Sequence, residues 1–384
     1  MQEKSIGSTH RSSDRAEKVL LITGPSSQIS EIFTRNLLCI LKRLARVSFI
    51  GHLGDPEALV GLEAHYDVSR PFANSNIVFR ALNYLFIQVR IALDAIGEND
   101  SRAAIFFLSD NLVLSMVLMK LIRPRMKIIS FPGGRTCEAY MRKKSLLYYP
   151  FVLLEKASYM LSDRIILYSP NLISEWQLKS YGGKVLVAHE HFLDLGLFSI
   201  REAYASRPPV IGYVGRLSEE KGVLEFVHAI PDVLKARNDV RFLIIGQGPL
   251  SEKIKGYLDE QGLSSQVTMI PWVPHDLLPV YLNGLRLLVL PSYTEGLPNI
   301  MIESLACGTP FLATAVGAIQ DFIQDGVTGF IMPDNAPNHI SGDIIRALNS
   351  NASGEIVVNG RRLVEREFSY GATVEKYARI LKQI

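Results

Sequence analysis

Short, almost wholly apolar runs recur along this chain, separated by polar turns and by longer stretches with helical spacing. "KVLLIT" (18–23) is the first, followed by "GPSS" and the helical pattern "QISEIFTRNLLCILKRLA". The alternation returns through "AAIFFLS" (103–109), "MKIISF" (126–131), "DRIILYS" (163–169) and "KVLVAHE" (184–190). Near-continuous apolar strands alternating with helices predict a parallel sheet covered on both faces. A polar stretch with a Pro-Pro pair, "REAYASRPPV" (201–210), then punctuates the chain. Beyond it the alternation restarts with "VIGYVGR", a helix over about 222–236, "RFLIIG", "QVTMIPW", "RLLVLPS", "TPFLATA" and "GFIMP".

Two successive doubly wound, Rossmann-like units follow from this pattern, and ligands of such folds sit at the carboxyl ends of the strands. The expected division is a disordered leader over 1–17, a first domain over 18–200 and a linker over 201–209. A second domain over 210–367 and a C-terminal helical segment over 368–384, packing back across the domains, complete it. A length of 384 residues agrees with two domains. The leader is polar and lacks the apolar core of a signal peptide. The most apolar long stretch, 76–96, is broken by Arg80 and Arg90, so no membrane-spanning segment is expected.

Composition adds little until its distribution is considered. Hydrophobic residues make up 48% and charged residues 21%, which describes a globular chain. The three cysteines, Cys39, Cys137 and Cys307, form no CxxC pair and read as buried free thiols in a reducing compartment. Net charge is only +3, but Lys120, Arg123, Arg125, Lys127, Arg135, Arg142, Lys143 and Lys144 face a single Glu138. Such a run is a solvated face or a site for an anionic membrane or polyphosphate acceptor. No recognition motif accompanies it, which argues against nucleic acid.

Four loops of the second unit follow strand ends. In "YVGRLSEEKG" (213–222), Gly215 permits a tight turn, and Arg216 and Lys221 suit a diphosphate, one as a fork and one as a point charge. Each alone is an ordinary surface cation. "FLIIGQGPLSEKI" (242–254) imitates a dinucleotide fingerprint through Gly246 and Gly248, but Ser251 replaces the third glycine and Pro249 interrupts the loop. A tight turn beside a ligand is the better reading. In "LRLLVLPSYTEGLPNIMIESLACGTP" (285–310), Gly296 and Pro298 break the chain after a strand. A helix then begins near Pro298–Ile300, its amide end suited to phosphate. Glu295 and Glu303 can accept from paired hydroxyls of a sugar or ribose, or act simply as helix-dipole carboxylates. "HEHFLD" (189–194) offers His-x-His but no third ligand in register, so no metal site is assigned.

These motifs taken together resemble the retaining nucleotide-sugar glycosyltransferases of the group 1, family four type, which have the GT-B fold. The resemblance covers about 205–380. It rests on "VGRLSEEKG", on Glu295 and Glu303 as E-x7-E within "EGLPNIMIESLACGTP", on "AVGAIQDFIQDGVTGFI" (315–331) and on "FSYGATVEKY". It implies an α/β GT-B architecture, two doubly wound Rossmann-like domains facing across a cleft. It also implies that Arg216 and Lys221 bind the donor diphosphate, Glu303 the ribose hydroxyls and Glu295 the transferred sugar. Glu295, Arg216 and Lys221 would carry catalysis. Gly24, Gly215, Gly246, Trp272, Val273, Gly296 and Leu297 would border the nucleotide sugar. Many members carry a histidine after the fourth strand of the first domain. Here "FPGGRTCE" (131–138) has none, and Gly133, Gly134 and Arg135 become acceptor-side candidates.

The implied activity is hexosyl transfer from a nucleoside-diphosphate sugar to a glycan or lipid-linked acceptor, with retention at the anomeric carbon and no cofactor. There is no Asp-x-Asp in the sequence, against the metal-dependent GT-A class. A cytoplasmic protein with peripheral contact at the inner, anionic membrane face is expected, in glycan or cell-envelope biosynthesis. The alternatives are a catalytically silent nucleotide-sugar binder and a nucleotide-sugar epimerase of the same fold.

Overall fold

The structure is a computed structural model that describes residues 17–24, 28–68, 76–109, 111–135, 137, 140–141 and 144–384. The expected leader therefore lies outside the described residues up to position 16. Contacts divide the chain into two compact units: Met1–Ile165 with Tyr377–Ile384, and Ile166–Lys376.

The first sheet has the order β3-β2-β1-β4-β5-β6-β7. Its strands are β1 (Lys18–Thr23), β2 (Arg46–Ile50), β3 (Ala64–Tyr66), β4 (Ser101–Phe107), β5 (Lys127–Phe131), β6 (Arg164–Leu167) and β7 (Val185–Val187). The apolar runs sit at its centre, β1 pairing in parallel with β2 and β4 so that Leu20 lies opposite Ser48 and Ala104. Leu20, Ile22, Ala104, Phe106 and Ile128 meet Ile87, Ile91, Ala95, Met116 and Met119 from the helices Ile77–Gly97 and Val113–Ile122. Two strands of this sheet, β2 and β3, have no counterpart in the sequence expectation. "RVSFI" follows its helix with no Gly or Pro turn signal, and "AHY" is too short to show a period.

The second sheet has the order β10-β9-β8-β11-β12-β13, every pair parallel. It comprises β8 (Val210–Val214), β9 (Arg241–Ile245), β10 (Val267–Ile270), β11 (Leu287–Leu290), β12 (Phe311–Thr314) and β13 (Phe330–Met332). β11 and β12 are buried at every position, as runs without alternation require. The chain leaves β8 toward β9 on one side and returns as β11 on the other. That reversal is the switch point of a doubly wound sheet, and it places the loops after β8 and β11 side by side.

The second unit also takes in residues 166–209, which the apolar pattern assigns to the first domain and the linker. The Leu193 amide donates to the Phe368 carbonyl at 2.9 Å, Arg361 to the Phe198 carbonyl at 2.7 Å, and the Arg201 amide to Asn283 Oδ1 at 2.7 Å. Within the polar stretch, Arg207 is buried. Its guanidinium donates to the Cys307 carbonyl at 2.7 Å and to Thr309 Oγ1 at 2.8 Å. A cation here satisfies the exposed carbonyl end of the helix Asn299–Ala306. One expectation is corrected: Cys137 and Cys307 are buried, but Cys39 is exposed. It points outward from the helix Gln28–Leu44, whose neighbouring Leu37, Leu38, Ile40 and Leu41 fill the core.

Candidate active site

The loop after β8 begins at Gly215, whose amide donates to the Ile245 carbonyl at 2.9 Å. The neighbouring strand tip closes tightly on it. Gly246 has φ 151°, and a Cβ there would lie 1.9 Å from the Gly215 carbonyl oxygen. Only glycine lets the two backbones approach this closely. The Tyr213 hydroxyl donates to the Arg216 carbonyl at 2.9 Å, and burial pushes its phenol far above the usual range. Arg216 itself stays exposed, its guanidinium paired with Glu220, which also accepts from Ser218 Oγ at 2.7 Å.

Lys221 ends the single turn Glu219–Lys221. Its ammonium donates to both oxygens of Glu295, at 2.7 and 2.9 Å, across 74 positions of sequence. Ser292 Oγ adds a third bond to Glu295, at 2.6 Å. The Glu295 side chain is only 6% exposed, so its charge is compensated before any ligand arrives. The loop after β12 buttresses it from the far side. Gly317 has φ 58°, a Cβ there would lie 2.1 Å from the Glu295 carbonyl oxygen, and the Ala318 amide donates to the Gly296 carbonyl at 2.8 Å.

Glu303 is buried in the helix Asn299–Ala306. That helix starts after Pro298, whose side chain caps none of its amides; Met301 donates to the Pro298 carbonyl at 3.1 Å, and the amide end as a whole suits an anion. His275 Nε2 stands 2.8 Å from Glu303 Oε1. Glu303 raises the imidazole above its usual value, with partial burial opposing. The His275 ring also lies 5.1 Å from that of Phe198. Trp272 is exposed and Val273 half-buried in the loop after β10, while Leu297 is buried and Gly296 half-buried.

In the first unit, the Gly24 amide donates to Ser109 Oγ at 2.7 Å, and residues 25–27 of its loop lie outside the described part. Gly133, Gly134 and Arg135 follow β5. Arg135 Nε donates to the buried Glu155 Oε1 at 3.0 Å, and Cys137 Sγ to its Oε2 at 3.2 Å. A guanidinium so engaged is a structural cation, with fewer N–H groups left for an acceptor.

Three participants carry no readable signal in the sequence: Glu220, Ser292 and His275. Each gains its place from a partner two or more residues away that only the folded loops supply. The His-x-His segment is packed into the second unit. His189 stacks on Phe368 at 4.6 Å and accepts the approach of Lys376, while burial pushes His191 down to about 3 and Glu190 up to about 8. The last two are 3.6 Å apart, and desolvation keeps them neutral in preference to an ion pair.

Residues 199–362 match the family described as glycosyl transferases group 1. That match covers less than half of the chain. Among curated relatives, alpha-D-kanosaminyltransferase of Streptomyces kanamyceticus is 28% identical over 187 residues, 48% of this chain and 48% of its own length. The capsular polysaccharide biosynthesis glycosyltransferase CapM of Staphylococcus aureus is 30% identical over 164 residues, 42% of each chain. The chain thus spans less than half the length of these relatives. The solved structure of HepE from Anabaena in complex with UDP superposes over 96% of this chain and 100% of its own, with a TM-score of 0.73 at 14% identity. At that identity the likeness concerns the fold, which is GT-B with two Rossmann-like sheets.

Proposed function

We propose that this protein is a retaining glycosyltransferase that moves a sugar from a nucleoside-diphosphate sugar to a glycan or lipid-linked acceptor, without a metal ion. The observation that carries the reading is the convergence of Lys221, Glu295 and the uncapped helix Asn299–Ala306, with Glu303 on it, at the switch point of the second sheet. It falls inside the matched segment 199–362. HepE, which shares the fold, was solved with UDP and with UDP-glucose, which makes UDP-sugars the first candidates here.

In this reading the helix amides, Arg216 and Lys221 meet the diphosphate. Negative charge grows on that group as the anomeric bond breaks, and fixed donors that stabilise it lower the barrier. Lys221 has three N–H bonds. Two go to Glu295 and one remains for phosphate, so a single ammonium orders the sugar-binding carboxylate and the leaving group together. Glu295 accepts from hydroxyls of the transferred sugar and Glu303 from the ribose. The departing phosphate takes the acceptor's proton on the face from which it leaves, which retains the anomeric configuration. The acceptor is a glycan or a lipid-linked sugar presented at an anionic membrane surface.

The test is a thermal-shift and turnover screen with UDP-, GDP- and ADP-sugars in EDTA, on wild type and Glu303→Ala. Sugar donor at about 100 times its Kd adds roughly 2.7 kcal/mol of apparent stability. A selective shift abolished in the variant, with slow release of nucleoside diphosphate, is the expected result. A shift with no release over a panel of acceptors would replace transfer by silent binding. Absence of any shift would remove the reading.

A further inference from the structure

The helix Ile77–Gly97 is apolar on two faces. Ile87, Ile91, Ala92 and Ala95 pack into the core of the first sheet. On another face Phe79, Leu82, Phe86, Val89 and Leu93 recur at spacings of three and four, between 39% and 62% exposed. A helix of a water-soluble surface carries polar residues on its outer side. Here a stripe of about 21 Å, at 1.5 Å per residue, is turned outward, edged by the exposed Arg90. The exposure is not isolated. The helix Val113–Ile122 packs on this one, Ser115 Oγ donating to the Gln88 carbonyl at 2.8 Å, and it exposes Leu121 and Ile122. The helix Tyr148–Leu161 packs on Val113–Ile122 in turn and exposes Leu153 and Met160. Contiguous exposed apolar surface on this scale marks an interaction site.

The exposed charges on these elements and their flanking turns are mostly basic. Arg125, Lys127, Lys144 and Lys156 are exposed. Most acids of the same region are paired, Glu98 with Lys18, Glu155 with Arg135, Asp163 with Lys120 and Asp94 with Arg90, and Asp100 beyond the helix is exposed. We infer that the stripe from Phe79 to Leu93 is an interfacial helix by which the first unit lies on an anionic lipid surface, apolar side chains in the acyl boundary and the lysines and Arg125 toward the headgroups. Insertion of an apolar helix face to about 5–10 Å, reinforced by roughly 1 kcal/mol per cation near the surface, is how such helices bind. A second copy of the chain is the weaker occupant, because a two-fold contact through this face would bring like charges together. Among the described residues no helix is long and apolar enough to cross a membrane. This inference deepens the lipid-surface part of the proposed function and assigns its residues, yet it does not depend on the sugar-donor site.

The experiment is vesicle flotation of the full chain with phosphatidylglycerol–phosphatidylcholine vesicles and with phosphatidylcholine alone. It compares wild type, Leu82→Glu/Phe86→Glu and Lys144→Glu/Lys156→Glu. Wild type should float with the anionic vesicles and lose binding in high salt, and both double variants should bind at least tenfold less. All four positions are exposed, so the variants should keep the wild-type melting temperature and the same nucleotide-sugar shift. That shift separates failure of this inference from failure of the transferase reading. Wild type that ignores anionic vesicles, or an apolar double variant that floats as well as wild type, would overturn the inference. A concentration-dependent dimer abolished by Leu82→Glu/Phe86→Glu, without vesicle binding, would overturn it in favour of a seam between two copies.

Discussion

Gly317 offers a sharp way to ask whether the backbone of the Glu295 loop is part of the working site. Its φ of 58° lies in the left-handed region, which costs a residue with a Cβ about 1–2 kcal/mol. A Cβ at this position would also sit 2.1 Å from the Glu295 carbonyl oxygen and 2.9 Å from that of Gly296, where ordinary contact begins at 3.4 Å. The loop must therefore retreat by roughly 1 Å, enough to cost on the order of 10²-fold in rate when it displaces a group at the reacting centre. Overpacking adds roughly 1–3 kcal/mol of destabilisation. Gly326 supplies the control: its φ is 71°, but nothing lies within 4 Å of a Cβ there. Gly326→Ala should lose only the conformational term and keep its turnover. Gly317→Ala should be less stable by the overpacking term and release nucleoside diphosphate about a hundredfold more slowly. Urea unfolding and a nucleoside-diphosphate release assay on both variants test this. Equal turnover in the two variants would refute the argument that the Glu295 backbone sets the geometry of the reaction.

Two further outcomes are expected. Lys221→Met strands the largely buried Glu295 carboxylate, leaving it the Ser292 hydroxyl. Discounted for the partial exposure of Lys221, the loss should be roughly 2 kcal/mol. Lys221→Met/Glu295→Gln should recover most of that stability but not the sugar-donor shift, and a single variant as stable as wild type would show that the pair does not hold the loop. Glu190 is lifted to about 8 by burial. The stability of its protonated form is complete below the unfolded value near 4.5 and drains as pH rises toward 8, at about 1.4 kcal/mol per unit. Glu190→Gln should remove that slope, gaining up to roughly 4 kcal/mol over wild type between pH 5 and pH 8 in urea midpoints. The opposite slope from His191 below about pH 6.5 is common to both proteins and cancels. Parallel pH profiles would show that the carboxyl is ionised when folded.

The amino-acid order by itself determined the parts of this protein that depend on near neighbours. Uninterrupted apolar runs specified buried parallel strands, and Pro298 with the apolar spacing behind it located the start of the helix Asn299–Ala306. The spacing of Glu295 and Glu303 within their surround was enough to suggest the family. Strands β2 and β3 escaped notice because one lacks a turn signal and the other lacks length. Only the tertiary structure decided who meets whom. The order of the second sheet sets β8 beside β11, which closes Lys221 on Glu295 across 74 positions. It also brings His275 to Glu303 and turns Arg207, in what reads as a linker, into a buried tie. The outward stripe on Ile77–Gly97 was equally invisible, since apolar residues around a helix do not announce which of them the core will cover. Local pattern is written in spacing along the chain, whereas charge pairing and exposure follow from the order in which strands and helices are stacked.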